Sequence, residues 1–256
     1  KTLTLKNGST IERWEPNNYL MDYLYGQANS QKHSVSISGG DDRFNYRASL
    51  NYSKANSQLK VAEDGEKKYS GRLNADYKAT DQLKIETSMS YEKRDVRTPY
   101  AGVGDGWMDP WFWAVYSEDG KPYDTFSKVR NPVSFLSDGG HKKTNCTTFR
   151  SNVNVTYDLS KWLKGLSLTG SGAYKTVEKD YQEQSNEVFW YDWIGNQTGN
   201  KNDPGFLKEE HMKWTNITLG GFVNYTNRFA DVHNIEAMFG MTTEEEDYKK
   251  IGAARN

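Results

Sequence analysis

Over residues 43–53 the odd positions are Arg43, Asn45, Arg47, Ser49, Asn51 and Ser53, and the even ones are Phe44, Tyr46, Ala48, Leu50 and Tyr52. Successive side chains of a β-strand point to opposite faces, so this stretch has one apolar, aromatic face and one polar face. The division recurs at 69–78, 83–92, 149–158 and 217–226, where Phe222 is the single exception, and more weakly at 33–38, 166–175 and 235–241. About eight strands are expected, most near the roughly 9–11 residues that a tilted membrane strand needs. Such a chain is all-β, with one side of the sheet suited to hydrocarbon and the other to water.

The connections carry an independent pattern. Segments 39–42, 79–82, 159–165 and 228–232 are short, while 55–68, 94–147 and 176–213 are long, and the two kinds alternate in order. A soluble sandwich has no reason to gather its long loops at one end; outer-membrane barrels have short periplasmic turns and long extracellular loops. Aromatic residues occupy strand ends: Phe44 and Tyr52, Tyr69 and Tyr77, Tyr91, Phe149 and Tyr157, Tyr174, Tyr225. Ordinary β-propensity also enriches tyrosine. Occupation of both ends of single strands fits interfacial belts better. Residues 1–30 are different, with turn signals at Asn7-Gly8 and Pro16-Asn17-Asn18 and a short helix expected within 19–25, stopping at Gly26.

Composition narrows the function classes. The 256 residues carry a formal net charge of −1 and no legible basic face, which argues against nucleic acid as a partner. No run of eighteen apolar residues exists, so no helical span is expected. The mean hydropathy of −0.91 would suit a soluble protein, but alternation and long aqueous loops lower the average of a barrel just as far. The lone Cys146 permits no internal disulfide and reads as an inert thiol. His33, His141, His211 and His233 have no ligand spacing and no cysteine pair exists, so neither a metal nor another cofactor is expected. No catalytic motif is present, and the chain reads as something other than an enzyme. The run Glu244 to Asp247 reads as a solvated strand end.

The long loops are rich in side chains that bind. Segment 94–147 holds Trp107, Asp109, Trp111, Trp113 and Tyr116, and segment 176–213 holds Trp190, Tyr191 and Trp193. Disordered loops are poor in aromatics, so these loops are expected to fold. Their aromatics and acids either contact a polar substrate or partner at a pore mouth or form the loops' own small core.

At 33–46 the chain reads His-Ser-Val-Ser-Ile-Ser-Gly-Gly-Asp-Asp-Arg-Phe-Asn-Tyr, and it resembles the SusC/RagA family of TonB-dependent outer-membrane transporters. Further likeness lies in Asp22-Tyr23-Leu24, where the family often has Asp-Trp, and in Tyr69-Ser70-Gly71-Arg72-Leu73-Asn74. It continues in Glu118-Asp119-Gly120-Lys121, Asn131-Pro132-Val133 and Trp162-Leu163-Lys164-Gly165-Leu166. Tyr23 replaces the usual Trp, and Asn56-Ser57-Gln58-Leu59 replaces a common Gly-Ile pair.

The resemblance implies an antiparallel transmembrane β-barrel segment in the bacterial outer membrane, about strands 2–9 of a barrel of roughly 22 strands whose lumen holds a plug. Residues 1–30 would be an extracellular loop and first-strand junction, and 31–256 a partial barrel with long extracellular loops at 55–68, 94–147 and 176–213. The implied partners are a plug domain of the same full-length protein, TonB through a region absent here, a SusD-like lipoprotein, outer-membrane lipid, and a glycan or peptide substrate. Arg43, Arg47, Arg72, Asp76, Glu86 and Arg150 would face the lumen, and Phe44, Leu50, Ile85 and Val155 lipid. A complete eight-stranded barrel, acting structurally or as an adhesin, is an alternative. It would pack those charges around a narrow axis, where an unpaired buried charge costs several kcal/mol. An outer-membrane hydrolase and a soluble glycan-binding β-protein are further alternatives.

Overall fold

The computed structural model describes residues 2–4, 10–12, 20–101, 115–116, 119–124, 131–192, 194–229 and 232–256. Strands β1 (Thr2–Thr4) and β2 (Thr10–Glu12) form a small hairpin, followed by the short helix α1 (Leu20–Leu24). Then come β3 (Asn29–Gly40), β4 (Phe44–Asn56), β5 (Gly65–Lys78) and β6 (Leu83–Pro99), the helix α2 (Pro132–Asp138), β7 (Gly140–Asp158) and β8 (Leu166–Ser185). A loop hairpin of β9 (Val188–Tyr191) and β10 (Gln197–Lys201) precedes β11 (Phe206–Phe229) and β12 (His233–Arg255). No helix among the described residues is long and apolar enough to cross a membrane.

Eight strands form one sheet in the order β12-β11-β8-β7-β6-β5-β4-β3, each pairing antiparallel with its neighbours in the chain path. The outer strands β3 and β12 do not pair with each other, so the sheet is an open wall and the complete eight-stranded barrel is not formed. The antiparallel barrel segment is the architecture.

Register decides which side chains share a face. Phe44, Tyr77, Ile85, Val155 and Gly170 lie in one cross-strand row, and Leu50, Gly71, Tyr91 and Phe149 in another on the same side. This apolar side covers no interior: Leu50 is 69% exposed and Phe239 78%. A bare apolar sheet face this wide needs hydrocarbon against it. Phe44, Leu50, Ile85 and Val155, expected to face lipid, share this apolar side.

The belts descend across the wall. Tyr52 pairs with Tyr69, Tyr91 with Phe149 one row lower, and Tyr174 with Ile217 one row lower again. From the first pair to the third this is four residues of descent over four strand steps, a tilt of about 35° at ~3.4 Å per residue and ~4.8 Å between strands, within the outer-membrane range. Tyr69 and Tyr77 bound the apolar stretch of β5 and stand ~27 Å apart along it, or about 22 Å along the membrane normal, close to the height of the apolar band.

The strands are longer than expected, from 12 residues in β3 to 24 in β11. The predicted loops 55–68, 94–147 and 176–213 shorten to 57–64, 100–139 and 186–205. Above the belt both faces of the wall meet water, so the ladder continues where the apolar alternation stops. Glu244 to Asp247 accordingly lie within β12 rather than at its end. The short turns gather at the opposite end, where Gly165 has a φ of +86° and a Cβ would approach the Thr226 carbonyl oxygen to 1.8 Å. Phe222 is accommodated on the polar side because Gly240 opposite lacks a side chain; a Cβ there would lie 2.3 Å from its ring.

The hydrophobic core is not in the sheet. Leu24, Ala101, Val115, Val133, Phe135, Leu136, Val188 and Trp190 bury one another at the long-loop end.

Candidate functional site

The polar side of the wall can be followed from the short-turn end upward. Asn45, Asp76, Glu86 and Asn154 share a low row, and Lys84 Nζ bonds Glu86 Oε1 beside it. Above them Arg47, Asn74, Ser88 and Asn152 form a row. Next come Ser49, Arg72, Ser90, Arg150, Lys175, Asn216 and Glu246. Arg72, Arg150 and Lys175 have no ion-pair partner among the described residues, so mid-wall presents three exposed cations among hydroxyls and amides. Higher still the charges are paired: Lys68 with Glu92 at 2.9 Å, Arg94 with Glu66 at 2.7 Å, and Glu210 between Lys250 at 2.8 Å and Lys208 at 3.2 Å.

Five of the six residues expected to face the lumen thus share this side: Arg47, Arg72, Asp76, Glu86 and Arg150. Arg43 does not sit in a strand. It falls in the turn before β4, where its N–H and that of Phe44 both donate to Asp41 Oδ1 at 2.8 Å. These backbone donors stabilise the charged carboxylate and hold the Asp41 pKa below the ordinary aspartate value. Glu66, Lys68 and Arg94 escaped sequence reading because 55–68 and 94–147 were expected to be loop and were not assigned faces, whereas Lys175 lay in the weakly alternating strand 166–175 and joins Arg72 and Arg150 only through register.

The described parts of the three long loops pack together into a cap. Asn131 caps α2 by accepting from the Ser134 N–H at 3.2 Å, Pro132 starts the helix with a fixed φ, and Val133, Phe135 and Leu136 are buried. Asn131 also donates through Nδ2 to the Val115 carbonyl. Trp190 on β9 is 1% exposed and donates its Nε1–H to Ser134 Oγ at 3.0 Å, tying the loop 186–205 to the loop 100–139. Thr198 on β10 donates to the buried Asp124 Oδ2 at 2.6 Å. Residues 20–26 dock on the third loop: the Gly26 N–H donates to Gln58 O, the Lys60 N–H to Leu24 O, and Lys60 Nζ to Asp22 O.

Of the loop residues singled out as contacts, Trp107, Asp109, Trp111, Trp113 and Trp193 lie outside the described residues. Trp190 is a core residue, closed off from any ligand, which corrects the expectation of a binding surface there. Tyr191 is half-buried and packs under Lys121, whose Nζ lies 5.2 Å from the ring centroid. Tyr116 is 37% exposed and meets Tyr23 edge-on at 6.3 Å. Burial pushes its hydroxyl pKa up and the Asp138 charge adds to that, against a hydrogen bond from Ser137. No group of His, Cys, Asp and Glu among the described residues could hold a metal ion.

No protein-family profile matches the chain. A relative described as TonB-dependent receptor P26, from Formosa agariphila, is 32% identical over 142 residues, which is 54% of this chain and 14% of that protein. The RagAB peptide importer in its closed-closed state superposes with a TM-score of 0.70 at 17% identity, over 92% of this chain and 26% of that one. Its open-open state gives 0.71. P. aeruginosa FpvA, solved bound to a pyoverdine–iron complex, gives 0.51 at 12% identity, over 87% of this chain and 26% of that one. The chain therefore spans about a quarter of the solved structures it matches and less of the sequence relative. With an apolar, belted face, a polar face and a folded cap at one end, the chain has the fold of a barrel segment of the RagAB transporter and is similar in sequence to part of a TonB-dependent receptor; its place is the outer membrane.

Proposed function

We propose that the whole protein imports oligosaccharides or peptides across the outer membrane in a TonB-dependent way, and that this chain supplies part of its conduit. The observation that carries the reading is the division of the sheet: lipid-facing Leu50, Leu73 and Val155 on one side, and Arg72, Arg150 and Lys175 among serines and asparagines on the other. A wall of this kind makes and breaks no covalent bonds. It keeps a polar solute hydrated or hydrogen-bonded while hydrocarbon stays outside. The name of the sequence relative and the description of RagAB as a peptide importer support the class of activity.

In this reading the long-loop end is extracellular, and the cap built on α2, β9 and β10 supports a surface for cargo or for a SusD-like lipoprotein. Trp107, Asp109, Trp111, Trp113, Tyr116, Tyr191 and Trp193 are its proposed contacts, while Trp190 holds the cap together. The lumen-facing cations meet anionic groups of the cargo or of the plug, and force from TonB acts on the plug through a segment outside this chain. We propose no enzymatic role.

The test is uptake in cells carrying the intact gene or a deletion, with labelled oligosaccharides and peptides supplied separately. Import that depends on the gene and on an energised TonB system is the expected result. Uptake unchanged by the deletion for both cargo classes would overturn the reading.

A further inference from the structure

On β4, β5 and β6 the same short pattern repeats on the lipid-facing side. Two residues beyond each belt tyrosine, toward the long-loop end, stands a lysine: Lys54 after Tyr52, Lys67 beside Tyr69, and Lys93 after Tyr91. Two residues of tilted strand raise the lysines about 5 Å above the rings, the level of the lipid headgroups. Lys54 and Lys67 are direct cross-strand partners, like charges that destabilise a sheet, and Asp95, directly across from Lys67 on its other side, offsets only one of them, so the cluster of three lysines keeps a net positive charge. None of the three has an ion-pair partner among the described residues.

The remainder of the wall lacks this feature. Thr147 and Thr176 stand two residues above Phe149 and Tyr174 on β7 and β8, and Lys213 on β11 is neutralised by Glu178 at 2.8 Å. The lysines also line one groove of about 590 Å³, together with Lys143, Asp95 and Asn145. There Asp95 Oδ1 and Asn145 Oδ1 are buried and accept no hydrogen bond. The other carboxylates at the groove are Glu63, paired with Arg97; Glu66, paired with Arg94; and Asp64. The groove therefore offers unpaired ammonium groups beside two acceptors that lack donors. A phosphate would satisfy the first and sugar hydroxyls the second.

We infer that this groove binds the phosphorylated sugar headgroup of an outer-leaflet lipid, the phosphate held by Lys54, Lys67 and Lys93 and the hydroxyls by Asp95 and Asn145. The lysine stems lie over the belt and the ammonium groups reach the phosphate layer. The site rests on the orientation proposed above, which places the long loops outside, and is independent of transport.

The full-length protein in detergent micelles is exposed to a phosphorylated glucosamine lipid, to the same lipid after phosphatase treatment, and to inorganic phosphate as competitor. Retained lipid is counted by native mass spectrometry. The wild type is expected to keep the phosphorylated lipid, to lose most of it after phosphatase treatment, and to resist displacement by millimolar inorganic phosphate. Combining Lys54→Gln, Lys67→Gln and Lys93→Gln lowers retention roughly tenfold. Arginine at the same three positions preserves it, and so does Lys208→Gln with Lys250→Gln on the water side. Equal retention of the phosphatase-treated lipid, equal retention by the glutamine variant, or full displacement by free phosphate would overturn the site. Should the glutamine variant fail to fold, the phosphatase arm on the wild type decides. Loss of cargo uptake with lipid retention intact would count against transport and leave the site standing.

Discussion

Leu50 in the wall and Leu24 in the cap are the same side chain in opposite circumstances, one 69% exposed and the other fully buried. The wall has no interior. Its cohesion comes from seven antiparallel ladders and from lipid, so its leucines and tyrosines face outward. The cap has no regular sheet of its own size, and coheres as a small soluble domain does, around Leu24, Leu136, Val133 and Trp190. Hydrophobic residues therefore point away from the wall and toward the centre of the cap, so one substitution has different meanings in the two regions.

The sharpest way to break this contrast is to empty the cap. Trp190→Ala removes a ring that is 1% exposed and its bond to Ser134, and is expected to cost the cap about 3–5 kcal/mol. Hydrogen exchange and protease cutting should rise sharply over 131–138 and 188–201 while exchange in β4 to β7 stays as it was. If the wall loosened equally, the two regions would be one cooperative unit.

The next test inverts the rule in the wall. Leu73 lies midway between Tyr69 and Tyr77 on the lipid side. Leu73→Arg is expected to cost about 2–4 kcal/mol, measured by equilibrium refolding of the intact barrel into vesicles. Arg72→Leu, one residue away on the water side, should change stability little. Similar costs for both would mean that the faces are assigned wrongly.

A smaller effect sharpens the account of the cap. Asn131→Ala deletes the cap of α2 and its bond to Val115 O, and about 1–2 kcal/mol is expected from loss of an N-cap in a buried setting. The exchange rates of 132–138 report it directly. An effect confined to α2, leaving β9 protected, would show that the helix and the hairpin are held separately.

The same contrast explains which parts could be read from sequence. Residues 43–53, 69–78 and 149–158 were legible because lipid on one side and water on the other impose a period of two on the side chains. Above the belt that constraint disappears: Phe206 to Lys213 in β11 and Thr243 to Lys250 in β12 are ladder-paired, yet polar residues occupy both faces. The strands therefore run past the point where the pattern fades. The cap was legible only as loops too aromatic to be disordered. Its contacts join Leu24 to the loop at 57–64 and Trp190 to Ser134, partners distant in the chain that no local spacing encodes. Trp190 and Trp193 look alike in sequence, and only the fold buries Trp190. The lumen row was half legible: Arg72 and Arg150 follow from alternation, whereas the row that adds Lys175 to them follows from register.

The smallest expected effect lies at the short-turn end, which depends on neither lipid nor cap. Asp41 accepts two backbone N–H bonds, which lowers its pKa in the folded chain below the ordinary value of about 3.9. A carboxyl with a depressed folded pKa favours folding while it is charged. Its contribution is complete above the unfolded pKa and is lost as pH falls through the lowered folded value. Asp41→Asn keeps an acceptor oxygen but removes the charge. The unfolding midpoints of the two proteins should therefore differ at neutral pH, begin to converge as pH falls below about 4, and meet only below the lowered folded pKa. Because Asp41 is fully exposed, added salt should shrink the difference as well. A gap that persisted at low pH would assign the turn's stability to local geometry alone.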